Sequence, residues 1–206
     1  MTSIETLTLE VADVAAAERF YRALGVGERL RLTAATAPTS GFRGFVLSLT
    51  VSQPATVKSL FNAAVDAGAT VLKPVSKSFW GHGGVVQAPD GTIWKFATSA
   101  KKDTGPDTGH IDAMVLLLGV ADVSESKRFY VGRGLAVAKS FAGKYVEFAT
   151  PSSPVKLALY GRRALAKDAG VPADGSGSHR LVLGGADGPF TDPDAFAWEA
   201  AAPLPA

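Results

Sequence analysis

Residues 11–25 read VADVAAAERFYRALG and residues 120–134 read VADVSESKRFYVGRG, so one short phrase occurs twice, with Asp13 and Asp122 109 residues apart. A second pair closes each half: Pro89-Asp90-Gly91-Thr92-Ile93-Trp94-Lys95, and 104 residues later Pro193-Asp194-Ala195-Phe196-Ala197-Trp198-Glu199. Matching signals in the same order at both ends of a long period are the mark of an internal duplication. The smaller second offset places a net deletion inside the second half.

Each half reads from periodicity as a strand followed by a helix and further strands. Leu7, Leu9 and Val11 alternate with Thr6, Thr8 and Glu10, the pattern of a half-buried strand. Asp13 has the chemistry of an N-cap. Val14, Ala17, Phe20, Tyr21 and Leu24 then recur at helical spacing before Gly25 ends the run. The same logic predicts strands near 29–33, 42–51, 71–74, 84–87 and 93–97, with a helix over 54–67. In the second half it predicts strands at 111–120, 137–141, 145–149, 155–160, 180–183 and 196–199, and helices at 123–131 and 163–169. Residues 99–110, rich in Lys, Asp, Thr and Gly, have the composition of a linker, and 170–178 that of a mobile loop. The expected units are therefore 1–98 and 111–206.

Composition narrows the function. Of 206 residues, 47% are hydrophobic and 19% charged, as in a packed globular protein. The formal charge of +2 with no basic run gives no sign of a nucleic-acid partner. The absence of cysteine removes disulfides, thiolate metal sites and cysteine nucleophiles, and fits a reducing compartment. Residues 1–10 lack the layout of a secretory signal. The densest apolar stretch, 114–121, is far shorter than the roughly 18–20 residues a membrane-spanning helix needs. A cytoplasmic protein is expected, without membrane partners. No Gly-x-Ser-x-Gly elbow, phosphate loop or dinucleotide fingerprint occurs.

The opening strand with Val-x-Asp, the Phe-Tyr helix and the Pro-Asp-Gly turn leading to a strand with a charged position resemble the vicinal oxygen chelate superfamily, which includes glyoxalase I, extradiol dioxygenases and bleomycin-binding proteins. The resemblance covers almost the whole chain. It implies an α+β fold of two tandem βαβββ modules whose curved mixed sheets enclose a shared cleft. It also implies where a metal would sit: on each first strand, seven residues before the repeated aspartate, and on each last strand. Those positions are Thr6 and Val115, then Lys95 and Glu199. Only Glu199 is an ordinary ligand, so a divalent metal is disfavoured and no cofactor is expected.

An ammonium in a cleft needs a counter-charge. A pair between Lys95 and Glu199 is therefore expected where relatives hold metal, with Glu10 as a further partner. Lys95, Glu199 and Glu10 form the candidate catalytic set, and Thr6, Thr8, His82 and Val115 the candidate ligand contacts. Ser48, Thr50, Glu147 and Lys156 lie on strands that can line the cleft. Of the three histidines, His82 lies in a glycine-rich approach, His110 in the linker and His179 at a strand start. Trp94 and Trp198 precede the charged positions and should point the other way, into the core. The leading expectation is a small organic ligand bound without metal. Its alternative is a lyase, isomerase or dioxygenase with Glu10 or Glu199 as base and Lys95 as stabiliser of an oxyanion. A metal held by Glu10, Glu199, His82 and His179 is the third reading. A monomer suffices for a duplicated chain, and a homodimer is left open.

Overall fold

The computed structural model describes residues 3–151, 153–176, 181–185 and 188–201. The first strand, β1 (Ile4–Val11), leads into helix α1 (Val14–Ala23), and the repeated phrase leads from β8 (Ala113–Val120) into α3 (Val123–Gly132). Both helices start as the sequence demands. The Asp13 carboxylate accepts from Ala16 N at 2.9 Å, and Asp122 from Ser124 N and Glu125 N at 2.7 and 3.1 Å. These bonds satisfy amides that a helix start leaves without partners.

Two complete βαβββ modules are present, one in each half of the chain. One runs β4 (Phe45–Thr50), α2 (Pro54–Asp66), β5 (Thr70–Ser78), β6 (Gly81–Gln87), β7 (Ile93–Thr98); the other runs β8, α3, β9 (Ala136–Phe141), β10 (Tyr145–Ala149), β11 (Val155–Gly161). In each, the first strand pairs in parallel with the last, β4 with β7 and β8 with β11, while the remaining pairs are antiparallel. Antiparallel pairing of β4 with β8 fuses them into one sheet, ordered β5-β6-β7-β4-β8-β11-β10-β9. The chain ends supply shortened counterparts. β1 and β2 (Arg31–Ala34) join β13 (Leu181–Gly185), β14 (Phe190–Thr191) and β15 (Ala197–Ala200) in a second sheet, ordered β14-β15-β13-β1-β2. The complete modules thus occupy 45–98 and 113–161, one inside each of the expected units 1–98 and 111–206. Each sheet draws strands from both halves, because β4 pairs with β8 in the large sheet and β1 with β13 in the small one.

The two sheets share one core. Leu7 and Leu9 of β1, Leu47 and Leu49 of β4, Trp94 and Phe96 of β7, Leu116 of β8 and Trp198 of β15 all lie in it with residues of α1, α2 and α3. Trp94 and Trp198 point inward as expected. The duplication survives in this packing: Tyr21 and Trp94 have ring centroids 5.7 Å apart, tilted by 53°, and Tyr130 and Trp198 lie 5.9 Å apart at the same tilt. Each phenol donates to a carboxylate near the repeated turn, Tyr21 to Asp90 at 2.7 Å and Tyr130 to Asp192 at 2.6 Å. In the second half Asp194 also accepts from Ala121 N and Ser126 Oγ, tying the turn to the start of α3.

The expected linker is pinned rather than free. The buried Gln53 side chain bonds Thr104 N, Gly105 N and Pro106 O, and Asp103 accepts from Ala55 N in the first turn of α2. Part of the expected mobile loop is likewise structured, since β12 (Gly175–Ser176) pairs with β3 (Ser40–Gly41).

Helix α4 (Arg162–Ala169) lies on the outer face of the large sheet, away from the shared core. Its Leu165, Ala166 and Ala169 pack with Val46, Leu117 and Ala158. Gly119 permits the approach: a Cβ there would meet Gly44 O at 2.9 Å and Leu165 Cδ2 at 3.3 Å. Gly119→Val should therefore destabilise by about 1–3 kcal/mol through overpacking, and Leu165→Ala by about 2–5 kcal/mol through the cavity it leaves. Urea unfolding checks both.

Burial raises the Asp192 carboxyl above the ordinary carboxylate range, against the lowering effect of its bond from Tyr130. A carboxyl raised on folding contributes stability below its unfolded value of about 4, and that contribution is lost as pH rises through the folded value. The stability of the wild type relative to Asp192→Asn should thus fall as pH rises from about 3.5 toward neutrality, measured by urea unfolding across that range. A flat difference contradicts the assignment.

Candidate functional site

The residues that alternate with the core on the large sheet face outward. Cross-strand register sets them in one row: Lys73 of β5 opposite Val85 of β6, Val85 opposite Lys95 of β7, Lys95 opposite Ser48 of β4, Ser48 opposite Val115 of β8, and Val115 opposite Lys156 of β11. Neighbours in such a row have Cβ atoms about 4.5–5.5 Å apart. Three of the six are lysines.

Helix α4 meets two of these lysines. Lys95 Nζ donates to Asp168 Oδ2 at 2.5 Å, and Lys73 Nζ donates to the carbonyls of Lys167 and Asp168 at 2.7 and 2.6 Å. Gly170, at φ +82°, ends the helix in the left-handed conformation that glycine tolerates. The carbonyls at that end carry the negative pole of the helix, so the Lys73 ammonium sits where a cation is favoured.

Beside this end of α4 the outer face opens into a pocket of about 670 Å³, whose lining includes Thr50, Lys73, Trp80, Gly83, Lys95 and Ala97. The hollow exists because the outward positions next to Lys95 are small: Gly83 and Ala97 are paired in register, and Ala97 faces Thr50. The Lys95 and Asp168 side chains remain 28% and 40% exposed, so the ion pair stands at the pocket wall and in reach of solvent.

The residues singled out from sequence divide between the two sheets. Lys95 lines the pocket, but its partner is Asp168, not Glu199. Trp198 points into the core, and Glu199 is therefore turned outward and exposed on the small sheet, beyond Gly184 from Thr6. Thr8 lies opposite Val182, and Glu10 opposite Thr33, on that same sheet. The outer faces of the two sheets look away from one shared core, which is why the Lys95–Glu199 pair does not form. Val115 belongs to the large sheet, packed against the α4 cluster rather than open to the pocket. His82 borders the pocket, yet alternation with Gly83 and Val85 turns its ring to the opposite face, where Nδ1 contacts Ala100 O at 3.2 Å. His110 contacts Asp112 at 3.7 Å on the surface. His179 lies outside the described residues. Sequence reasoning missed Asp168 and Lys73. The helix at 163–169 is legible in sequence, but no local signal tells where it docks.

The four positions implied for a metal are likewise split, Lys95 and Val115 on one sheet and Thr6 and Glu199 on the other. Among the described residues no three His, Asp or Glu side chains gather as a ligand set. The outer row of the large sheet offers ammonium groups, a hydroxyl and two aliphatic side chains, and so does not fit a divalent cation.

No protein-family model matches the chain, and no curated protein matches it. Solved structures do. Glyoxalase I from Zea mays superposes with a TM-score of 0.60 at 14% identity, over 96% of this chain and 91% of that one. A putative dioxygenase from Bacillus subtilis superposes with a TM-score of 0.56 at 12% identity, over 88% and 69%. At such identities the likeness is one of fold.

Protein purified without chelators should carry metal only substoichiometrically by elemental analysis, and added Zn²⁺ or Ni²⁺ should leave its melting temperature unchanged. A stoichiometric ion lost on Lys95→Ala would contradict the donor-set argument.

Proposed function

The chain has the fold of the vicinal oxygen chelate superfamily, and from that premise we propose that it binds a small organic molecule in the pocket beside α4, without a metal. The observation that carries this reading is the pocket itself: an open hollow on the outer face of the large sheet, floored by small side chains and walled by the ammonium groups of Lys73 and Lys95. Ligand sites combine such concave surface with a few placed polar groups. The cation at Lys95 supplies the orienting group where relatives of this fold are expected to hold metal. The protein acts in the cytoplasm on this reading, and one chain suffices for the site.

The alternative of a lyase, isomerase or dioxygenase calls for a base near Lys95. Glu10 and Glu199, the bases the resemblance offered, face away from it on the other sheet. The carboxylate that does stand beside Lys95 is Asp168, whose charge is taken up by that ion pair.

A thermal-shift screen of neutral, cationic and anionic organic compounds tests the reading. At a hundredfold excess over Kd, a bound ligand stabilises by about 2.7 kcal/mol, a rise of roughly 5–10 °C for a chain of this size. Ala97→Trp, which fills the hollow, should abolish the shift while preserving the melting temperature of the free protein within a few degrees. A screen without hits, or hits indifferent to Ala97→Trp, overturns the proposal.

A further inference from the structure

The Lys95–Asp168 pair bears on what the pocket accepts. Asp168 is the last acidic residue of α4, and its carboxylate is the only anion paired with Lys95 among the described residues. The helix does not depend on that bond for its place. Leu165, Ala166 and Ala169 bury its apolar side, the Arg162 guanidinium donates to Phe42 O at 2.7 Å and to Ala173 O at 3.2 Å, and Lys73 holds the final carbonyls, including that of Asp168 itself. The Asp168 carboxylate is therefore free to swing off Lys95 while its backbone stays put, and it is partly exposed at the pocket wall.

The charges around the pocket balance as they stand. Lys73 and Lys95 face Asp168 and Asp112, and Asp112 already contacts His110. An incoming carboxylate that takes the place of the Asp168 carboxylate keeps Lys95 paired, and Lys73, whose bonds go to neutral carbonyls, adds a second positive charge at the same wall. At the rim stands Trp80, 82% exposed, in edge-to-face contact with the equally exposed Phe79 at 5.1 Å. A large indole left in water beside a hollow offers a face for a planar ring.

Resting on the binding function proposed above, we infer that the pocket takes aromatic carboxylates, the ligand carboxylate displacing Asp168 from Lys95 and its ring lying against Trp80. Asp168 is then an internal competitor: its side chain occupies in the free protein the position that the ligand carboxylate occupies in the complex. The arrangement sets affinity for carboxylates below what Lys95 alone would give, and it keeps the ammonium paired when the pocket is empty.

The test uses 2-naphthoate and its neutral isostere 2-naphthamide, titrated by calorimetry into the wild type, Asp168→Asn, Lys95→Gln and Trp80→Ala, each first checked for an unchanged melting profile. Removal of the competitor should tighten 2-naphthoate about tenfold in Asp168→Asn while leaving 2-naphthamide unchanged. Lys95→Gln should weaken 2-naphthoate at least about tenfold, and Trp80→Ala should weaken both compounds. Asp168→Ser serves as a second variant with the same expected direction. If Asp168→Asn weakens the carboxylate or leaves it unchanged, the inference is wrong. It is also wrong if neither naphthalene binds while the thermal-shift screen finds another ligand, and in that case the binding function stands. A screen with no ligand at all removes the function and the inference together.

Discussion

A strand that buries Trp94 must turn Lys95 the other way, and this alternation governs the chemistry of the molecule. Both sheets give their apolar faces to one core, so every polar residue between two core residues is sent to one of two outer faces. Lys95 goes out on the large sheet and Glu199 on the small one. Two charges in equivalent places of a repeated motif are thereby separated by the core that the motif builds. Lys95 must find its counter-charge on its own side, and the chain supplies it from α4.

That helix changes the nature of the outer face. Without it the row from Lys73 to Lys156 would lie open across the sheet with several ammonium groups unmatched. With it, the stretch around Val46, Leu117 and Ala158 is covered, Val115 is packed, and a pocket with the Lys95–Asp168 ion pair at its wall is left beside the helix. The helix comes close enough that a Cβ at Gly119, already crowded by the Gly44 carbonyl, would also press on Arg162 and Leu165. Burial of apolar side chains holds the helix, while the two lysines fix where its last turn points.

The parts of this architecture that were legible in sequence are the local ones. The repeated phrase announces two capped helices, and both aspartates cap them; the Trp94 and Trp198 positions announce inward faces, and both are inward. These signals work because capping and alternation act over a few residues. Strand partnership does not. Whether β1 joins β4 or β13 depends on pairing between segments far apart in the chain, and the alternation of Thr6, Thr8 and Glu10 looks the same in either sheet. The reading of Lys95 and Glu199 as a pair failed at that step. Asp168 was invisible for a related reason: a short helix near 163–169 shows in the pattern, but the surface that receives it is assembled from β4, β8 and β11.

The pairing of β1 with β13 has a consequence for how the protein comes into being. Residues 45–161 hold both complete modules and hence the whole large sheet, a set that synthesis finishes well before the last strands leave the ribosome. β1 precedes that whole set in the chain, and its antiparallel partner, Leu181–Gly185, follows it. Until that partner emerges, Leu7 and Leu9 lie in a segment whose one sheet neighbour already made is β2, so the small sheet closes after the large one can form. Protection of that early apolar segment, by α1 folding over it or by a chaperone, becomes a requirement set by topology alone.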